Sequence, residues 1–177
     1  MAARGFTHES SVNQSQEWFT PPEMFEALGL TFDLDPCSPG QGKSFVPARR
    51  VLTKEDDGLT TPWGDPATTM VFMNPPYGRL TAPFMRKFAE HGNGIAVVFA
   101  RTDTKWFQES AGEADVVCFI SGRVRFFKGN TTDRAGTPGA GSMLVAYGQK
   151  AADAVRASGL GLCFEPAKTR PALQVVG

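Results

Sequence analysis

Met70-Val71-Phe72-Met73 runs without a polar residue into Asn74-Pro75-Pro76-Tyr77-Gly78. Four apolar residues in a row read as a strand buried on both faces, the pattern of a parallel sheet covered by helices. The loop that follows is stiff for a simple reason. A residue before proline is pushed out of the helical region, so Asn74 and Pro75 are held extended. The two prolines bring no N–H, so the backbone offers acceptors without matching donors. Such a turn can aim the Asn74 side-chain oxygen and a neighbouring carbonyl at one point, with the Tyr77 ring alongside. A conjugated exocyclic amine needs such a device, because its lone pair is delocalised and nucleophilically weak. Two fixed acceptors gripping its N–H groups favour a tetrahedral nitrogen and cost no reorganisation during reaction. Tyr77 could stack on a base for ~1–3 kcal/mol, offsetting part of the few kcal/mol needed to extract that base from a duplex. The competing reading is a plain strand-ending turn.

Working outward, the spacing predicts a helix from about Thr81 to His91, closed by Gly92, with Phe84, Met85 and Phe88 inward. Ile95–Ala100 and Val116–Ile120 read as further buried strands, with a short helix opened by Asp103 or Thr104 between them. Upstream, Thr20-Pro21-Pro22-Glu23 predicts a helix start with Thr20 as N-cap, proline at N1 and Glu23 closing a capping box; Gly29 ends it. Leu30–Cys37 alternates and meets Pro36, a strand running into the loop Ser38-Pro39-Gly40-Gln41-Gly42. A short strand near Arg50-Val51-Leu52 precedes the acidic turn Glu55–Gly58. Val124–Phe127 and Ser142–Tyr147 look like the two arms of a hairpin, joined by a Gly/Thr/Pro-rich connection from Lys128 to Gly141. The alternation of strands and helices predicts a three-layer α/β fold, a shortened and mostly parallel sheet with that hairpin as an antiparallel C-terminal edge. Both proline-containing loops, 36–42 and 74–78, then fall at the C-terminal ends of strands, where such sheets place their sites. Residues 1–15 lack periodicity and read as a flexible arm; residues 16–177 read as one domain.

The chain has 177 residues, 41% of them hydrophobic, and 18 basic residues balance 18 acidic ones. That balance excludes a generally polycationic nucleic-acid binder and leaves any such contact to a local patch. Lys43, Arg49 and Arg50 form one basic cluster in the sequence, and Arg123, Arg125, Lys128 and Arg134 another. The second adjoins the flexible connection and is the candidate for phosphate contact. Three scattered cysteines imply reduced thiols and an intracellular, cytoplasmic setting. With two histidines and no Cys-x-x-Cys pair, no metal site is expected. No apolar run is long enough for a membrane span.

Taken together, the segments resemble the phage-type (Dam-type) DNA N6-adenine methyltransferases. The resemblance is carried by Glu17-Trp18-Phe19-Thr20-Pro21, Asp33-Leu34-Asp35-Pro36-Cys37, Asp57-Gly58-Leu59 with Trp63, and Asn74–Gly78. Ala100–Thr104 with Trp106-Phe107 and Gly122–Phe126 continue it, so that it spans about Asn13 to Tyr147. It implies a Rossmann-like methyltransferase fold that takes S-adenosyl-L-methionine as cofactor and double-stranded DNA as substrate. Thr20 and Pro21, with Trp18, match the element that caps the methionine end of the cofactor. Asp35, Pro36 and Gly40, with Ser38, match the loop along its amino-acid and ribose portions. Asp57, with Gly58, matches the acid that accepts from its adenine amine. Asn74 and the Pro75 carbonyl would hold the target N6 while Pro76 stiffens the turn and Tyr77 stacks. Phe126 has two readings, a second aromatic clamp on a flipped adenine or a core residue; Arg123, Arg125 and Lys128 would meet DNA.

The sequence departs from the family in four respects, the first being that Gly40-Gln41-Gly42-Lys43 replaces an Ala/Asn-containing stretch. Gly42–Met73 is short for the two strand–helix units that the family fits there. Val46–Lys54 contains no acid for the cofactor ribose, and no separate target-recognition domain follows. The resemblance further implies a monomer or weak dimer in the host-cell cytoplasm, and suggests protection of phage DNA from restriction. Two other readings stand beside it. The same tetrapeptide methylates glutamine side chains in proteins and guanine N2 in RNA, and a degenerate methyltransferase fold could bind DNA without catalysis.

Overall fold

The computed structural model describes residues 18–128 and 138–167; the N-terminal arm, Arg134 and most of the 128–141 connection lie outside the described residues. In chain order the elements are β1 (Trp18–Phe19), α1 (Pro22–Leu28), β2 (Phe32–Asp35), β3 (Ala48–Val51), β4 (Val71–Met73), α2 (Thr81–His91) and β5 (Gly94–Phe99). Then come α3 (Lys105–Ser110) with a short 3₁₀ turn, β6 (Val116–Ile120), β7 (Phe127–Lys128), β8 (Ser142–Tyr147), α4 (Gln149–Ala157) and β9 (Gly161–Phe164).

Seven strands form one sheet in the order β3-β2-β4-β5-β8-β6-β9. β3, β2, β4, β5 and β6 point one way, and β8 and β9 run against them. The architecture is α/β and compatible with a Rossmann-like methyltransferase fold. Alternation explains the apolar runs: in β4, Phe72 faces one side with Met24, Phe25 and Leu28 of α1, while Val71 and Met73 face the other with Phe84, Met85 and Phe88 of α2. α4 covers the first face through Ala151, Ala152 and Val155; Trp106 and Phe107 of α3 pack against the second. Every residue of β4 is buried, as the sequence required.

β4 and β5 approach closely at one point. Gly94 lies opposite Val71 with φ of +147°, and a Cβ there would sit 2.1 Å from the Val71 carbonyl oxygen. Only glycine fits that register.

The structure corrects four expectations. The hairpin does not form: β8 pairs with β5 and β6 in the sheet interior, whereas β7 pairs with β1 in a separate two-stranded ribbon. All six residues of β8 are buried, the mark of a strand covered on both faces rather than an edge. The antiparallel edge exists but is β9. The α1 N-cap is Pro21, with no side-chain cap bond, because the Thr20 hydroxyl is drawn toward Asn74 instead. Finally, Arg49 and Arg50 do not form one basic cluster. As neighbours in a strand they point to opposite faces; Arg49 meets Asp33 at 3.5 Å, and Arg50 donates to the carbonyls of Pro62 and Trp63 at 3.2 and 2.8 Å. The 36–70 region holds β3 and no helix, so both parallel crossovers, from β2 to β3 and from β3 to β4, are irregular chain.

Candidate active site

β2 and β4 are adjacent and parallel, so the loops leaving them emerge side by side. The Asn74 side chain is fixed at both ends. Its Nδ2 donates to the Trp18 carbonyl at 2.7 Å and to Thr20 Oγ1 at 3.3 Å. A backbone carbonyl can only accept, so the amide nitrogen must face Trp18 and the oxygen must face away. Asn74 Oδ1 accepts from the Tyr77 hydroxyl at 3.1 Å, and burial pushes the Tyr77 pKa up, keeping that group a donor. One Oδ1 lone pair is left over.

The rest of the loop is tied to α2. Thr81 Oγ1 donates to the Pro76 carbonyl at 3.0 Å, and the Thr81 N–H to the Gly78 carbonyl at 3.2 Å. The Pro75 carbonyl takes no hydrogen bond among the described residues. The Tyr77 ring stacks on Phe99, the last residue of β5, with centroids 4.1 Å apart and planes 19° apart. One ring face is thereby covered and the hydroxyl orientation set.

Asp35 ends β2 as a buried acid. Desolvation raises its pKa to about 7, against the lowering effect of the Cys37 N–H (3.0 Å) and the Ser38 hydroxyl. No lysine or arginine among the described residues pairs with it. Burial, with the neighbouring Asp35 adding to it, pushes the Cys37 thiol well up from the usual thiol range. Ser38 Oγ accepts from the Gly40 N–H at 3.2 Å and closes the loop, and Pro36 and Gly40 are buried within it. The Asp57-Gly58 turn is pressed onto the same loop: a Cβ on Gly58 would lie 2.3 Å from the Pro36 carbonyl oxygen. Asp57 is exposed at φ +49°, its carboxylate accepting from the Leu59 N–H and the Thr60 hydroxyl.

The third wall comes from the β1–β7 ribbon, which sets Trp18 opposite Lys128 and Phe19 opposite Phe127. Phe127 in turn meets the exposed Phe45 of the 36–47 loop, with centroids 4.9 Å apart. Trp18, Thr20, Pro21, Asp35, Pro36, Ser38, Gly40, Asp57, Gly58 and Asn74–Tyr77 are therefore drawn together from separate segments. Phe126 has no exposed surface and packs edge-on against Trp18 at 5.9 Å. Arg123 and Arg125 are exposed; the Lys128 side chain lies outside the described residues.

The chain matches the family described as DNA N-6-adenine-methyltransferase (Dam) over residues 8–157. It belongs to that family. Comparison with curated proteins and with solved structures gave no match. The Dam match covers the Asn74–Tyr77 loop, the Asp35 loop and the β1–β7 ribbon alike. Among the described residues no group of acids, histidines and cysteines could hold a metal, and no helix is long and apolar enough to cross a membrane. A groove of about 340 Å³ between α2 and α3, lined by Arg86, Trp106 and Glu109 among others, shares no residue with these loops.

Sequence reasoning missed Phe99, the Trp18 carbonyl, the Thr81 hydroxyl and Lys87. A strand-end aromatic beside a loop tyrosine and a backbone carbonyl carry no sequence signal. Lys87 did carry one: it lies three residues after Phe84 and next to Phe88, at the border of the buried stripe of α2.

Proposed function

We propose that this protein transfers a methyl group from S-adenosyl-L-methionine to the N6 of an adenine in double-stranded DNA, with the base turned out of the helix onto the Asn74–Tyr77 loop. The observation that carries the reading is the locked Asn74 amide. Its nitrogen is consumed by Trp18 and Thr20 and its oxygen keeps a lone pair, while the adjoining Pro75 carbonyl takes no hydrogen bond among the described residues. Two acceptors with spare capacity among the described residues suit an amine with two N–H groups, since preset dipoles need no rearrangement as charge develops on the nitrogen.

The residues present also suit the cofactor. A buried Asp35 carboxyl with a pKa of about 7 and no cationic partner among the described residues fits a ligand carrying an ammonium. The backbone-on-backbone contact of Gly58 with Pro36 draws the second acidic turn against that loop. When bound, S-adenosylmethionine supplies an electrophilic methyl on a sulfonium. Asp35 and the Ser38–Gly40 loop would hold its amino-acid portion, Thr20 and Pro21 would close over that end, and Asp57 would accept from its adenine amine. Asn74 Oδ1 and the Pro75 carbonyl would hold N6 and orient its lone pair, and the proton lost from N6 would leave to solvent. Tyr77, backed by Phe99, would present its open face to the base. Arg123 and Arg125, with Lys128, would contact phosphates.

The test is transfer of tritium from labelled S-adenosylmethionine into unmethylated duplex DNA, followed by nucleoside analysis. Label in N6-methyladenine is the expected result. Cofactor binding without label in DNA would move the substrate to an RNA or protein amine. Absence of cofactor binding would leave a non-catalytic DNA-binding protein.

A further inference from the structure

Lys87 stands on α2 outside every segment assigned above, yet its ammonium is fully engaged. Nζ donates to the carbonyls of Gly58, Leu59 and Thr61 at 2.9, 2.9 and 2.7 Å. An ammonium has three donors, and all three are spent on one turn. The Gly58 carbonyl also receives the Trp63 indole N–H at 2.8 Å, and the Trp63 ring lies 5.0 Å from Nζ. The turn so gripped contains Asp57, the one non-glycine residue at positive φ among the described residues. An L side chain rarely adopts such a conformation, and it persists only where the surroundings hold it. The same turn abuts the Pro36 carbonyl through Gly58. Partial burial lowers the Lys87 pKa, while Asp57 and Glu90 oppose the shift.

We propose that Lys87 is a positioning residue for the cofactor site: from α2 it clamps the Asp57–Thr61 turn against the Asp35 loop without touching the ligand. The proposal rests on the reading of Asp57 and Gly58 as cofactor-binding. It explains why a charged side chain occupies the border of a buried helix stripe, and it couples α2, which begins at the Asn74–Tyr77 loop, to the other half of the site.

The experiment compares wild type with Lys87→Met, which keeps the stem and removes the donors. In ligand-free protein, the Leu59, Thr60 and Thr61 amides, which bond to Asp57, should exchange hydrogen at least tenfold faster in the variant. Calorimetric affinity for S-adenosylmethionine should fall at least tenfold, with KM for the cofactor rising in step and kcat at saturation within twofold of wild type. A folded Lys87→Met with wild-type cofactor affinity overturns the proposal, whatever the exchange rates. Should Lys87→Met fail to fold, Lys87→Arg decides. Its planar fork cannot converge three donors on three carbonyls, so affinity should drop at least threefold, and wild-type affinity would refute the clamp. A wild-type protein that binds no S-adenosylmethionine would instead overturn the functional reading on which the clamp depends.

Discussion

At the scale of single residues, Asn74 and Asp35 make the sharpest predictions. Asn74→Ala should lower kcat by roughly 10²–10³-fold, the usual cost of losing one preset polar contact to a reacting centre. Cofactor affinity should fall far less than kcat, because the variant removes the brace on Trp18 and Thr20 but leaves the Asp35 and Asp57 loops in place. Single-turnover rates with bound cofactor separate the two quantities. Asp35 tests the electrostatics. Its pKa is near 7 in the fold and near 3.8 for the free side chain, so the folded state holds a proton that the unfolded state has released. Its contribution to stability is whole below about pH 4 and is lost as pH rises through 7. Asp35→Asn removes that dependence. Ligand-free Asp35→Asn should therefore gain on wild type between pH 5 and pH 8, by on the order of a few kcal/mol, read as the shift in urea midpoint. An unchanged difference between the two pH values would mean that Asp35 ionises freely. Asn74, Pro75 and Tyr77 could be read from the sequence because proline chemistry dictates where the loop backbone points. The role of the Trp18 carbonyl could not, since every residue has one.

Among the elements, the interior strands and α2 were legible. β4, β5 and β6 announce themselves as unbroken apolar runs, and α2 begins and ends where its spacing and Gly92 require. The β8 assignment failed for a physical reason: a run buried on both faces gives its depth in the sheet but not its partners. Pairing depends on which edges remain open after the other strands have assembled. β9, with Leu162 and Phe164 exposed at 71% and 54%, gave no burial signal to read. The β4–β5 pair also carries a prediction. Gly94→Ala must move a Cβ away from the Val71 carbonyl and hold an unfavourable φ, at a cost of roughly 3 kcal/mol. The urea midpoint should fall accordingly. Because Val71 begins the strand that carries Asn74, the variant should also lose turnover at temperatures where it remains folded.

For the molecule as a whole, the site exists only when distant segments meet. Trp18 reaches Asn74 across 56 positions, β7 returns to β1, and the Asp57 turn folds back on Pro36. The convergence of the 36–42 and 74–78 loops was legible, because parallel strands put their exits on one side. The β1–β7 ribbon was hidden, being two residues long and formed between chain segments more than a hundred residues apart. The order of β8 in the sheet has a consequence for biosynthesis. β5 and β6 do not pair with each other; they are bridged by a strand made after both. A nascent chain that has exposed β2 through β6 therefore carries one four-stranded fragment with an open β5 edge, and an unpaired β6, until residues 142–147 leave the ribosome. Ribosome-bound chains displaying residues up to 141 should remain readily cleaved by protease, and those displaying residues up to 157 should become resistant. The enzyme's last-made central strand would act as the closing stave of a cask, and until it is in place the growing polypeptide has no single closed sheet.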